Sequence, residues 1–192
     1  MFGNDVFYKC PSLQSVTLPQ NLTSIPVRTF ASCSSLEKII LPEGIVSIGD
    51  LAFSSCSSLK EIILPDGIVE IGLAAFDSCE SLSSLVLSNT LSTIRAYAFA
   101  NCRVLKEITI PESVLEIESL AFEYCTSLET LTIRSKTAKL YSEILAGASL
   151  LTEIRFDGTC EEWYGLGKDA DWLAEGQRLT IICTDGEVEE FN

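Results

Sequence analysis

The sequence predicts a mainly β solenoid, a right-handed superhelix with one parallel sheet on its concave side. Short strands or 3₁₀ turns are expected on the convex side, and a helix-plus-hairpin cap at the C-terminal end. Three observations lead there. Phenylalanine recurs at Phe7, Phe30, Phe53, Phe76, Phe99 and Phe122, an interval of 23 residues, with Leu145 on the next beat. Within each interval the apolar columns stand two residues apart, which is the periodicity of a strand. Residues 157–192 leave the pattern and carry helix and hairpin signals of their own. Residues 1–156 therefore read as about seven 23-residue repeats, the first incomplete, and residues 157–192 as a cap.

Each repeat opens on its phenylalanine, and three residues later stands a cysteine: Cys10, Cys33, Cys56, Cys79, Cys102 and Cys125, until Ala148 takes the slot. Six residues after the phenylalanine comes leucine, from Leu13 and Leu36 through to Leu151. The strand follows, with its inward positions at Val16, Ile39, Ile62, Leu85, Ile108, Leu131 and Ile154 and again two residues on, from Leu18 to Phe156. Proline closes it at Pro19, Pro42, Pro65 and Pro111, because proline has no N–H for the ladder. Runs such as Pro42-Glu43-Gly44 and Pro65-Asp66-Gly67 turn the chain. Ile25, Ile48, Ile71, Ile94, Ile117 and Leu140 then mark an inward position on the return side. One coil cannot bury its own apolar face, so stability comes from stacking, with strands about 4.8 Å apart.

A period of 23 falls within the roughly 20 to 29 residues of leucine-rich repeats. Written out, the pattern F-x-x-C-x-S-L-x-x-I-x-L-P resembles the BspA-like subfamily of those proteins, as in Phe30-Ala31-Ser32-Cys33-Ser34-Ser35-Leu36 and Phe53-Ser54-Ser55-Cys56-Ser57-Ser58-Leu59. The match covers residues 2–156. The tail, with Gly158-Thr159, Glu162-Trp163, Trp172 and Cys183-Thr184-Asp185-Gly186, is similar to the C-terminal end of bacterial members. The resemblance implies a cell-surface or secreted bacterial protein that binds other proteins, and it carries over no catalytic residue.

At the C-terminal end, Thr159 and Glu162 form a capping box that opens a helix from Glu161 to about Gly167, with Trp163 covering the last coil. The run Leu179-Thr180-Ile181-Ile182-Cys183, then Thr184-Asp185-Gly186, then Glu187-Val188 reads as a hairpin. At the other end Phe2, Gly3 and Phe7 align with Ile48, Gly49 and Phe53, so the chain starts inside a coil and reads as a fragment. No basic and apolar leader pattern is visible. The first strand, residues 15–18, would be a free edge, and self-association through this N-terminal edge is the expected route if copies pair.

Composition narrows the function. The chain has 192 residues, 27 acidic against 13 basic, and a net charge of −14. Phosphate backbones and anionic lipid headgroups would repel it, so no nucleic acid or membrane partner is expected. Histidine is absent, which removes the commonest base near neutral pH and a common zinc ligand. Six cysteines share one column whose side chains point the same way, which suits buried free thiols better than disulfides. No C-x-x-C pair exists, which disfavours a metal site, and Cys160 with Cys183 is the pair to consider for a bridge.

On the sheet, the positions facing outward between the apolar columns are Thr17, Ile40, Ile63, Val86, Thr109, Thr132 and Arg155, flanked by Lys38, Glu61, Ser84 and Glu107. Opposite charges meet across coils at Glu37 and Lys60, Lys38 and Glu61, and Lys106 and Glu129, which fixes register. The three adjacent aliphatic residues form an apolar centre with a polar rim, the composition of a protein-binding patch. No residue departs from its column as a nucleophile or acid–base pair would, and no cofactor is implied. The favoured reading is a non-enzymatic protein-interaction module of the adhesion type. A carbohydrate-binding module resting on Trp163, Trp172, Tyr124 and Tyr141, and a structural spacer within a longer repeat protein, are the alternatives.

Overall fold

The computed structural model describes residues 3–192, so Phe2 of the N-terminal alignment lies outside the described residues. The chain runs through β1 (Ser24–Ile25), β2 (Ser47–Ile48), β3 (Glu61–Ile63), β4 (Glu70–Ile71), β5 (Ser84–Val86), β6 (Thr93–Ile94) and β7 (Glu107–Ile110). It continues through β8 (Glu116–Ile117), β9 (Thr130–Ile133), β10 (Lys139–Leu140) and β11 (Glu153–Phe156) to α1 (Cys160–Gly165), β12 (Arg178–Ile182) and β13 (Glu187–Phe191). These elements wind a β solenoid of about seven turns.

The unbroken sheet is on the return side, where β1, β2, β4, β6, β8 and β10 pair in parallel in that order. Each contributes one buried residue of the return column, from Ile25 to Leu140. The phenylalanine column is buried from Phe30 to Phe122 and forms a continuous stack, with ring centroids 5.1 to 5.6 Å apart and planes within 13° of parallel. Such offset stacking adds to the apolar burial that each ring already provides.

Of the short strands or 3₁₀ turns expected away from the concave face, the short strands are present on the return side, and the turns beside them are not 3₁₀. Each coil makes two successive turns closed by bonds such as Thr29 N–H to Pro26 O and Cys33 N–H to Phe30 O. The residue before each closing donor has positive φ: Arg28, Leu51, Ala74, Tyr97 and Leu120 in one column, Ser32, Ser55, Ser78, Asn101 and Tyr124 in the other, all between 50° and 62°. That is the pattern of type II turns. The left-handed residues turn alternate N–H groups toward the next coil. Arg28, Phe30 and Ser32 donate to the carbonyls of Asp50, Ala52 and Ser54 at 3.0, 2.8 and 2.7 Å, and the triplet recurs in each of the next four coils. All these peptides point one way, carbonyls toward the N-terminal coils and N–H groups toward the C-terminal ones, the opposite sense to an α-helix.

The tail accepts backbone donors of the last coil, one from β10 and two from the ledge side. Leu140, Glu143 and Ile144 donate to the carbonyls of Gly167, Asp171 and Trp172 at 2.7, 2.7 and 3.1 Å. Helix α1 starts on the expected capping box, with Glu162 N–H bound to Thr159 Oγ1 at 3.2 Å and Thr159 N–H to Glu162 Oε2 at 2.8 Å. It ends at Gly165, two residues short of the expected limit, where Leu166 becomes extended. Trp163 is wholly buried, edge-on against Phe156 and Trp172. Its Nε1 donates to Glu190 Oε1 at 2.7 Å, and Lys168 Nζ meets the same oxygen at 2.8 Å in a largely enclosed ion pair. Strand β12 pairs in parallel with β11 and antiparallel with β13, which closes the hairpin.

The left-handed turns carry a testable cost. An L residue there is strained by about 1 to 2 kcal/mol, part of which glycine's greater freedom in the unfolded chain offsets. Only Gly147 uses glycine at this beat, at a φ of 73°, where a Cβ would also strike the Tyr124 ring. Ser55 and Ser78 are half-buried at this beat, and of their hydroxyls Ser78 Oγ donates only to the neighbouring Asp77 at 3.2 Å. The double variant Ser55→Gly, Ser78→Gly is expected to raise the free energy of urea unfolding by about 1 kcal/mol. A loss of stability would show that the serines are not strained.

Candidate functional site

The outward column lies where the sequence places it. Ile40, Ile63 and Val86 are 74%, 70% and 52% exposed. Thr17, Lys38, Glu61, Ser84, Glu107, Thr109 and Arg155 are exposed and Thr132 is half-buried. All three expected ion pairs form, Lys60 with Glu37 at 2.7 Å, Lys106 with Glu129 at 3.6 Å and Lys38 with Glu61 at 3.9 Å. The pairs are exposed and weak, so they set register and neutralise the rim.

The single concave sheet that the sequence suggests is interrupted. Strands β3 and β5 pair only with each other, while β7, β9, β11, β12 and β13 form a second sheet. Residues 15–18, expected to form the first strand and a free edge, take no strand pairing, and residue 38 reaches Glu61 by an isolated bridge. Proline stands at each break in the sheet, although Ser88 in the same column donates no N–H to the coil before and β3 and β5 pair beside it. Arg134 and Asp157 each donate an N–H to the coil before, to Ile110 O and Ile133 O, both at 3.0 Å. Pro42, Pro65 and Pro111 occupy the same column and have no N–H to give, so this rung to Leu18, Leu41 and Leu87 is missing. Every junction whose later coil carries proline lacks a paired strand, and those with Ser88, Arg134 and Asp157 are paired.

A cleft opens at each proline junction. One of 390 Å³ lies between the first two coils beside Thr17 and Ile40. A second of 360 Å³ is lined by Ile40, Ile63 and Pro65. A third of 360 Å³ is lined by Val86, Thr109 and Pro111. The apolar centre is thus a row of exposed aliphatic side chains with one notch between Ile40 and Ile63 and one beyond each end, while Ile63 and Val86 sit side by side on paired strands.

The aromatic residues of the carbohydrate reading are arranged differently. Trp163 and Trp172 are buried in the cap, Tyr141 is half-buried with Lys139 Nζ 3.9 Å from its ring centre, and only Tyr124 is exposed. They offer no shared sugar platform.

The cysteine column is free of disulfides. Cys33, Cys56, Cys79, Cys102 and Cys125 are buried, whereas Cys10 is half-buried because it has a column neighbour on one side only. Sequence reasoning missed what the thiols do. Each donates to the carbonyl of the phenylalanine one coil back: Cys33 to Phe7, Cys56 to Phe30, Cys79 to Phe53, Cys102 to Phe76 and Cys125 to Phe99, at 3.1 to 3.5 Å. Cysteine fits because it is apolar enough to bury and still has a weak donor. Burial pushes Cys56 and Cys125 up to about 12 and raises Cys33, Cys79 and Cys102 as well. These thiols stay protonated near neutral pH and are poor nucleophiles.

Comparison with known proteins agrees with this architecture. The model of the BspA type leucine rich repeat region matches residues 1–104 and 69–165, in six copies. A leucine-rich repeat protein of T. pallidum is 31% identical, with a TM-score of 0.70 over 78% of this chain and 70% of that one. The pneumococcal vaccine antigen PcpA is 22% identical, with a TM-score of 0.63 over 90% of this chain and 39% of that one. A leucine-rich cell surface protein of Faecalibacterium prausnitzii is 20% identical, with a TM-score of 0.52 over 88% and 66%. The last two likenesses are of fold. No curated protein matches the chain. Among the described residues no helix is long and apolar enough to cross a membrane.

Two measurements test the site. A thiol reagent is expected to modify three cysteines in the native protein, Cys10, Cys160 and Cys183, and all eight after denaturation without reductant. Fewer than eight would reveal a disulfide. Pro111→Ala restores an N–H facing Leu87, worth about 1 kcal/mol. Amide exchange across residues 86–88 and 107–111 is expected to slow about five-fold, and unchanged exchange would place the cause of the break elsewhere.

Proposed function

Since the chain belongs to the BspA-type leucine-rich repeat family, we propose that it is a non-enzymatic protein-interaction module of the adhesion type, from a bacterial cell-surface or secreted protein, and that its concave face holds the partner. The observation that carries this reading is the row of exposed Ile40, Ile63 and Val86 in adjacent coils, notched at the proline junctions and rimmed by charges that pair with one another. An apolar centre with a neutralised polar rim suits a folded protein surface or an extended segment with apolar side chains. The flanking Thr17, Thr109, Thr132 and Arg155 add hydrogen-bonding groups at the ends of the column, and Lys38, Glu61, Ser84 and Glu107 line its side.

Enzymatic activity is not part of the proposal. The buried column thiols are protonated, which removes them as nucleophiles. The cell-surface assignment is supported by family membership and by the surface location named for the F. prausnitzii relative. Because the chain spans 70% or less of these relatives, any wider activity of the whole protein is outside the module described here.

The test is a binding measurement on a charged variant. Ile40→Glu, Ile63→Glu should keep the parent melting temperature, since both side chains face water and threonine or arginine occupies the column elsewhere. Affinity for a protein ligand captured from extracellular host or bacterial fractions should fall by about 2 kcal/mol or more, roughly 30-fold. Unchanged affinity would exclude the concave face and turn the search to the convex turns. Saturable binding to glycans that survives removal of the protein ligand would favour the carbohydrate reading.

A further inference from the structure

The repeat accounts for six of the eight cysteines. The other two, Cys160 and Cys183, lie in the cap and take no place in the core column. Cys160 is the first residue of α1, and Cys183 follows the last residue of β12. Both are half-buried, and neither donates to a phenylalanine carbonyl; the Cys183 sulfur faces that of Cys160 and makes a distant contact of 4.0 Å to Ile181 O. The two sulfurs and a carboxylate oxygen of Asp185 lie within 4.8 Å of one another.

The backbone around them is tied in place. Thr184 gives both its N–H and its Oγ1 to Gly158 O, at 2.9 and 3.1 Å, which fastens the hairpin turn to the segment before the helix. Cys183 N–H closes the turn on Gly186 O at 2.9 Å. Cys160 N–H donates to Asp185 Oδ1 at 2.8 Å, which holds that carboxylate beside the two sulfurs. The cation of this end, Lys168, is engaged by Glu190 and so does not compete for the carboxylate.

We propose that Cys160, Cys183 and Asp185 form a binding site for a thiophilic divalent cation of the zinc type, with water completing four-fold coordination. The ligand types fit, since two thiolates and a carboxylate are zinc donors and histidine is dispensable. So does the spacing. Tetrahedral zinc with bonds of about 2.3 Å to sulfur holds two sulfurs about 3.8 Å apart, within reach of the observed cluster, whereas a disulfide would draw them to about 2.05 Å and leave Asp185 without a role. On binding, each thiol releases its proton to solvent, so two protons leave for one dication and the charge of the site is unchanged. The ion would clip the β12–β13 turn to the start of α1, and so fasten the hairpin onto the last coil.

The experiment uses the full chain, purified with a phosphine reductant so that no added thiol competes. Zn²⁺ and Cd²⁺ are titrated by equilibrium dialysis, and the melting curve is recorded with and without the ion. The expected result is one ion per folded chain and a raised unfolding midpoint. Cys160→Ser and Cys183→Ser should each weaken uptake at least about ten-fold, and Asp185→Asn more mildly, while Cys10→Ser leaves it unchanged. The proposal is overturned if the folded parent takes up no ion, or if the Cys160→Ser, Cys183→Ser double variant binds as well as the parent. It is equally overturned if protein isolated without reductant yields six thiols on denaturation, because the pair is then a disulfide.

Discussion

Inter-coil backbone rungs on the convex ledge set the terms for everything else in this protein. Each coil gives three N–H groups to the coil after it, at positions fixed by two left-handed residues, and the donor and acceptor positions recur at 23-residue spacing. A coil of another length would move its carbonyls out of reach of the donors behind it. Register on this side therefore holds the phenylalanines face to face and puts each thiol beside the carbonyl of the coil before. The column of cysteine suits that geometry, since a side chain there must be small and apolar and cysteine adds a weak donor that reaches the carbonyl.

The concave side is built under a looser rule, and that looseness makes a surface with relief. Proline ends the strand of its own coil and also withholds a donor from the preceding one, and the ladder is open at three of the junctions. The return-side sheet and the ledge hold the coils together, so the concave face can lose rungs without loosening the stack. Rigid support beneath and notches above place exposed aliphatic side chains at fixed spacing, which limits the ordering cost of binding.

The C-terminal end solves the problem that any stack of identical coils creates. Leu140, Glu143 and Ile144 would present open donors, and residues 167–172 accept them, while Trp163 covers the end of the apolar column and Lys168 with Glu190 occupies the polar atoms beside it. Residues outside the repeat are free from the demands of register. It is among them, at Cys160, Cys183 and Asp185, that chemistry distinct from stacking can gather.

What the sequence determined by itself follows from its period. The columns of Phe30, Cys33, Leu36 and Ile39, the outward positions of Ile40, Ile63 and Val86, the ion pairs of Lys60 and Lys38, and the capping box of Thr159 and Glu162 are all local or 23 residues apart, and each is found where it was expected. Tertiary structure decided what depends on directions in space. Proline at 42, 65 and 111 reads in sequence as a strand stop, but the lost rung shows only once the coil before is seen to face the missing N–H. The thiol-to-carbonyl bonds link residues 26 apart, off the repeat beat, and the sulfurs of Cys160 and Cys183 meet Asp185 only because the hairpin folds back on the helix start. A period fixes which residues share a column. The direction in which a donor, a thiol or a carboxylate points is fixed by the backbone turns that the coils impose on one another.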